Sequence, residues 1–419
     1  MAYDLIVVGG GAAGFFAAVE AATQNPALKI VILEKSTKLL SKVKISGGGR
    51  CNVTHHCFES TPLSKHYPRG QKEFKQLFRI FQASDTVKWF EQRGVKLKTE
   101  EDGRMFPISD DSQSIIDCFL KQAEKFGSKI QMASEVVHVE KNGRDFMVRC
   151  RNGESFSSVN VLIAMGGPPK EDAYQWIKSL GHTIIPLVPS LFTFNDSSKE
   201  FTDLMGVAVQ DGEVKIAGAN FSSRGPLLIT HWGLSGPAVI RLSAWAALHL
   251  HDVHYQFVAL VNWTGDQTEV SVRNFFKEKN LREGGKRIMS HPLFKLPQRL
   301  WEKLCVKAEV SEKMTWAEAP SKILNRLLEF LIRCPFYIVG KTTFKEEFVT
   351  CGGIDLKEIE LTTMESKIVP GLYFAGEVLN VDGETGGFNF QAAWTTAFVA
   401  ARSIAQNAFQ NKVAKVNAK

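Results

Sequence analysis

No two cysteines in this sequence stand in the Cys-x-x-Cys spacing of a zinc or dithiol site, and the seven present, at 51, 57, 118, 150, 305, 334 and 351, are odd in number. A disulfide framework is therefore not expected, and a reducing cytoplasm suits the chain. Long uncharged apolar runs are also missing. The best candidate, residues 234–250, carries Arg241, which is costly in lipid. The apolar opening, residues 4–22, lacks a basic leader and contains Asp4, so it reads as fold rather than as a signal peptide. Metal motifs are scarce: His249, His251 and His254 form the one suggestive cluster, nothing around them matches a ligand pattern, and no metal is expected. With 44% hydrophobic and 23% charged residues over 419 positions, disorder and collagen-like repeats are excluded and two or three domains are expected.

What is present begins at once. Tyr3-Asp4-Leu5-Ile6-Val7-Val8 is a short, largely apolar run that ends at Gly9-Gly10-Gly11, followed by helix composition from Ala12 and a second apolar run that ends in Glu34. Strand, Gly-x-Gly-x-x-Gly (Gly9, Gly11, Gly14), helix, strand and acid, in that order, form the fingerprint of a dinucleotide site. Gly9 makes the tight turn, Gly11 admits a pyrophosphate to the backbone, and Gly14 lets helix and strand approach. Backbone N–H groups at Ala12 and Ala13 open the helix towards phosphate. Glu34 can accept hydrogen bonds from ribose hydroxyls, and Lys35 follows it. This pattern alone fits FAD and NAD equally.

Two distant segments favour FAD. Residues 159–164 read as a buried strand running through Ala164 into Met165-Gly166-Gly167, a second glycine turn of the kind that covers a dinucleotide. Near the other end, Gly371-Leu372-Tyr373-Phe374-Ala375-Gly376-Glu377 reads as a strand ending in an acid. A glycine-rich loop from Asp382 to Gly387 follows, then a helix from Phe388. In flavoproteins with two dinucleotide-binding signatures, such an acid holds the ribityl chain. The following helix turns its positive end to the flavin pyrimidine, a role that falls here to Gly387, Phe388 and Asn389. A nicotinamide dehydrogenase has no use for such a closing segment.

At these residues the chain resembles the BaiN/RdsA-like family of bacterial flavoproteins, nearly end to end. The most specific pieces are Ser46-Gly47-Gly48-Gly49-Arg50-Cys51-Asn52, Thr230-His231-Trp232-Gly233-Leu234-Ser235-Gly236-Pro237 and Thr363-Met364-Glu365-Ser366-Lys367. The resemblance implies an α/β, Rossmann-like two-dinucleotide-binding flavoprotein domain with an inserted β-barrel domain and a small helical domain. The expected boundaries are 1–189 with 346–419 for the FAD domain, 190–268 with 332–345 for the barrel, and 269–331 for the helices. It also implies reduction of carbon–carbon double bonds, in ribosomal RNA uridine or in unsaturated steroid acids, while some relatives resemble oxidases of small amino ketones. The FAD contacts expected are Gly9, Gly11, Ala12, Ala13, Gly14, Glu34, Lys35, Lys42, Gly48, Gly49, Arg50, Cys51, Val136, Ala164, Gly166, Gly376, Glu377, Asp382, Gly387, Phe388 and Asn389. Two departures stand out: Pro168-Pro169-Lys170-Glu171 replaces the usual longer Gly/Ser/Thr loop, and Asn380 stands where an aspartate is usual.

Residues 190–264 are short Val/Ile/Phe/Thr runs that suit a barrel, and 269–331 turn helical. No second Gly-x-Gly-x-x-Gly follows a strand here, so an NAD(P)H donor would dock transiently. Windows 65–98 and 273–303 each hold nine Lys/Arg against three Asp/Glu. Such windows suit ribosomal RNA as partner, with Phe275, Phe276, Phe294 and Trp301 able to stack on bases. The plainer alternative is a solvated helical face over core aromatics; a small molecule is then the substrate, and no membrane is involved. Two candidates for catalysis are Cys51, whose pKa Arg50 could depress, and His231, set in a pocket-like segment beside Trp232. Cys51 and Cys57 also raise a disulfide-reductase reading, weakened by their five-residue gap.

Overall fold

The computed structural model describes residues 2–342 and 349–417, the stretch 409–417 as backbone only. The chain divides into two compact units, Met1–Ser190 with Lys345–Lys419, and Leu191–Phe344. The expected boundary at 345/346 lies outside the described residues.

The first unit is the Rossmann-like domain expected from the sequence. Its centre is five parallel strands: β1 (Ala2–Val8), β2 (Ile30–Leu33), β3 (Lys129–Gln131), β4 (Ser155–Ile163) and β5 (Leu372–Phe374), in the order β5-β4-β1-β2-β3. Leu5–Val8, Ile30–Leu33 and Val161–Ile163 are all buried. A strand covered on both faces reads as continuous aliphatics, and that is why these were legible. Antiparallel strands extend the sheet to nine: Val136–Asn142 and Asp145–Cys150 beyond β4, Ile359–Glu360 and Glu365–Ser366 beyond β5.

Helices α1 (Ala12–Gln24) and α2 (Phe388–Asn417) pack together and join the two chain ends. α1 is buried from Ala13 to Ala22, with alanines that permit close approach. Between the helices Phe16, Trp89, Phe119 and Trp394 interlock, with Phe16 and Trp89 stacked at 4.3 Å. Glu20 is buried there and accepts from Trp89 Nε1 at 2.8 Å, with Arg93 3.5 Å away. Register puts Leu372 of β5 opposite Val161 of β4, so the closing segment completes the sheet that the opening segment begins.

The second unit holds a closed six-stranded barrel in the order Thr193–Asp196, Gly233–Ser235, Ser222–Ile229, Ala208–Ile216, Gln256–Asn262, Cys334–Thr342. Helices Glu269–Glu283, Gln298–Lys307 and Ser321–Ile332 share one apolar core with it, centred on Trp263, Trp301 and Trp316. The apolar run at 234–250 becomes a barrel strand and two short helices, Pro237–Trp245 and Ala247–Asp252. Among the described residues no helix is long and apolar enough to cross a membrane.

The aromatics of the second basic window are mostly core. Trp301 is fully buried and donates to Ile288 O at 2.9 Å, and Phe276 is buried against Trp316. Neither can stack on a base. Phe275 and Phe294 pack on one another, ring centres 5.0 Å apart.

Candidate nucleotide cofactor site

At the end of β1, Gly9 has φ +116°, and a Cβ there would stand 2.4 Å from Ala164 O. A Cβ on Gly14 would fall 1.9 Å from Gly9 O, whereas one on Gly11 would meet nothing within 4 Å. So the first and third glycines serve backbone packing, and the second faces open space at the start of α1. Glu34 is held beside them: Oε2 accepts from Gly10 N at 2.8 Å and Oε1 from Ser36 N at 2.9 Å. An open groove of about 220 Å³ runs past Gly9, Glu34, Lys35, Val136, Met165 and Trp176. Four expected contacts, Gly9, Glu34, Lys35 and Val136, thus meet in one groove, while Ala164 donates its N–H to Val8 O at 2.8 Å at the end of β1. Glycine turn, acid and groove fit the adenosine and pyrophosphate of a dinucleotide.

The loop after Ser41 brings a further group. Gly47, Gly48 and Gly49 all have positive φ, and a Cβ on Gly48 or Gly49 would meet nothing within 4 Å. Lys42 and Glu377, expected as separate contacts, form an ion pair at 2.6 Å. Glu377 also accepts from Thr350 N at 3.0 Å, and Thr350 Oγ1 donates to Gly167 O at 2.7 Å. The acid after β5 is therefore tied to the β4 turn. Gly376, φ +79°, passes so close to α1 that a Cβ would lie 2.9 Å from Ala13 Cβ.

Two expectations need correction. Arg50 does not act on Cys51: its guanidinium is 2.5 Å from Glu100, 3.5 Å from Asp110 and lies on the Phe106 ring at 4.0 Å. Cys51 is wholly buried with φ +61°, and burial pushes its thiol up to about 12 rather than down. A thiol kept neutral in this way is inert as a nucleophile. Asp382, expected to face the cofactor, is also fully buried; Arg69 pairs with its carboxylate and Ser190 Oγ donates to it at 2.8 Å. All seven cysteines, Cys57 included, are free thiols.

The loop before α2 is clamped by residues that the sequence reading passed over. Besides Arg69, His55 Nδ1 lies 3.1 Å from Gly386 O, and Tyr67 OH donates to Phe388 O at 2.6 Å. His66 Nδ1 is 2.9 Å from Glu384 Oε2. With the Asn52 amide turned so that its nitrogen meets Thr54 O, its oxygen accepts from Gly387 N at 3.0 Å. Asn389 closes the loop on itself, accepting from Gly383 N and donating to Gly383 O, both at 2.9 Å. What remains for a ligand is the start of α2 itself, with no acidic side chain in its first turn to oppose the helix dipole. His231 belongs to the second unit, exposed, its ring edge-on to Trp232 at 4.3 Å.

The family description "HI0933-like protein Rossmann domain" matches residues 3–403. The chain belongs to the HI0933-like family. Two relatives are ribosomal RNA dihydrouridine synthases. That of Haemophilus influenzae is 31% identical over 416 residues, 96% of this chain and 98% of that one. That of Escherichia coli is 29% identical, with the same coverage. A 3-dehydro-bile acid delta(4,6)-reductase of Clostridium scindens is 25% identical, again over 96% and 98%. Among solved structures, a 3-ketosteroid delta1-dehydrogenase of Sterolibacterium denitrificans superposes with TM-score 0.51 at 14% identity, covering 97% of this chain and 100% of that one; the likeness is one of fold. This HI0933-like protein is a FAD-dependent oxidoreductase.

Proposed function

We propose that this protein reduces uridine in ribosomal RNA to dihydrouridine. The observation that carries the reading is near-full-length identity of 31% and 29% to two ribosomal RNA dihydrouridine synthases. In this reading Gly9, Gly11, Ala12, Ala13 and Gly14 present backbone to the FAD pyrophosphate, and Glu34 takes the ribose hydroxyls. Lys35 and Val136 flank the adenine, with Ala164 and Gly166 behind. Gly48, Gly49, Glu377 and Lys42 line the ribityl and flavin side, and the N–H groups of Phe388 and Asn389 face the pyrimidine. Bound FAD supplies a hydride once reduced. The protein's own part is to hold the base, exclude water and deliver a proton. With no second dinucleotide fingerprint, an NAD(P)H donor docks only transiently.

The charge distribution supports an RNA partner, and both windows keep exposed cations. In 65–98, Arg69, Arg93 and Lys98 are consumed by Asp382, Glu20 and Asp110. Lys65, Lys72, Lys75 and Arg79 are exposed with no ion pair among the described residues. In 273–303 Arg273 pairs with Glu269 at 2.9 Å, Lys279 and Lys286 with Glu283 at 3.0 and 3.3 Å, and Lys303 with Asp203 at 3.1 Å, while Lys277, Arg282, Arg287, Lys295 and Arg299 are exposed with no ion pair among the described residues. The deciding experiment deletes the gene and maps dihydrouridine in the host's ribosomal RNA. Loss of the modified base is expected; an unchanged map sinks the substrate assignment.

The bile-acid reductase relative favours a second reading, a reductase of small unsaturated ketones. The chemistry is shared, since both substrates have a carbon–carbon double bond activated by a carbonyl. Turnover of a 3-keto-4-ene steroid by protein that leaves RNA unreduced would select it.

A further inference from the structure

We infer that His66 supplies the proton that completes reduction of the double bond, with Glu384 as its positioning residue. The inference rests on the reductase reading above. His66 Nδ1 is 2.9 Å from Glu384 Oε2, and the Glu384 side chain is only 9% exposed. The same two residues meet again through the backbone, Glu384 N donating to His66 O at 2.9 Å. The imidazole lies flat on Phe388, ring centres 4.1 Å apart and planes 11° from parallel. Phe388 is the first residue of α2, the helix whose start faces the flavin in the proposed site.

The molecule contains a second histidine–glutamate pair that shows what a structural one looks like. The His182 side chain is 0% exposed, its Nδ1 is 3.0 Å from Glu358, and its Nε2 is 3.0 Å from Ser366 Oγ. Both of its nitrogens are used. In His66 the carboxylate lies against Nδ1 alone, Nε2 has no hydrogen bond among the described residues, and the side chain is 35% exposed. A carboxylate behind one imidazole nitrogen fixes the ring's tautomer and orientation, so that the other nitrogen is the one turned outward to give up a proton.

Other titratable groups around His66 are few. His55, ring centre 6.0 Å away, is made less basic by burial, with His56 and Asp102 acting on it in opposite senses. Arg69 and Asp382 neutralise each other in the same clamp, and Lys65 precedes His66 on the exposed side. In the step itself, one carbon of the double bond accepts the hydride that the reduced coenzyme supplies. The π pair takes the proton from His66 Nε2 at the other carbon. His66 is left neutral, still bonded through Nδ1–H to Glu384, and regains a proton from solvent; a nicotinamide donor restores the coenzyme.

The test uses full-length holoenzyme carrying His66→Gln or Glu384→Gln. Reduced enzyme is mixed, without oxygen, with protein-free ribosomal RNA from a host lacking the gene, and flavin reoxidation is followed in the visible. His66→Gln is expected to keep its flavin but reoxidise at least ~100-fold more slowly, without the wild type's decline towards high pH. Glu384→Gln should also keep its flavin and reoxidise more slowly, by less than His66→Gln, because the imidazole has lost the carboxylate that orients it. A simple clamp makes the opposite forecast: flavin is lost and the thermal midpoint falls while the pH profile stays. Either that pattern or an unaltered His66→Gln rate overturns the inference. If wild type reduces no RNA, the substrate reading fails, and the visible spectrum of the oxidised holoenzyme decides the placement of His66. A pH transition present in wild type and absent in His66→Gln supports it; no transition in either refutes it.

Discussion

At the scale of single residues, adjacency in the chain proved a poor guide to electrostatics. Cys51 follows Arg50 directly, yet the guanidinium reaches Glu100 and Phe106 while the thiol is buried and stays protonated. Asp382 shows the same from the other side. It was legible as an acid in a glycine loop, but nothing local shows that Arg69, 313 positions earlier, consumes it. Arg69 itself was counted as a free charge of a basic window. The pair is buried, so removing one partner strands the other in low dielectric. Arg69→Leu is expected to cost about 3–5 kcal/mol in urea unfolding, and Arg69→Leu with Asp382→Leu to recover most of that. Equal losses in single and double variants would show that packing, not charge, holds the loop. By contrast Gly9, Gly11, Gly14 and Glu34 were readable because strand, turn, helix and strand are consecutive, and their geometry is fixed by local backbone.

At the scale of elements, the parallel strands and both long helices were readable from buried aliphatic runs and from glycine at their ends. The clamp was not. Residues 52–69 contribute backbone carbonyls, two imidazoles and a tyrosine to a loop more than 300 positions away, and no periodicity records such a contact. Within the junction of the two chain ends, one approach is especially close. Gly376 has φ +79° and would place a Cβ 2.9 Å from Ala13 Cβ. A valine there adds overpacking, typically about 1–3 kcal/mol, to the strain of a β-branched residue in the left-handed region, again about 1–3 kcal/mol. The branched side chain pushes the start of α1 away from the turn before Glu377, so Gly376→Val should lose FAD as well as stability. Thermal melts with and without added FAD measure both: the shift that FAD produces in wild type should shrink or vanish. An undiminished shift would mean that the two chain ends need not be so close to hold the coenzyme.

At the scale of the whole molecule, a net charge of +7 says little until the structure shows which cations are already spoken for. Lys72 and Lys75 are three apart on the helix Gln71–Leu77, hence on one face, and Arg79 follows it. Arg69 and His66, just before that helix, grip the loop that precedes α2. Lys72, Lys75 and Arg79 therefore belong to a segment that borders the proposed reaction site, where a folded RNA could rest while one base enters. Each phosphate contact contributes about 0.7–0.9 to the slope of log affinity against log salt. Replacing Lys72, Lys75 and Arg79 together by glutamate should flatten that slope by about 2–3 and weaken ribosomal RNA binding steeply at low salt. Reduction of a small enone, which needs no such surface, should continue at the wild-type rate. The matched control changes Lys279 and Lys303, which already face Glu283 and Asp203, and should alter RNA affinity little. If the control variant loses RNA and the first does not, the docking face lies on the barrel-and-helix unit instead. If neither changes the slope, phosphate recognition plays no part in binding, and a small unsaturated ketone becomes the substrate to pursue.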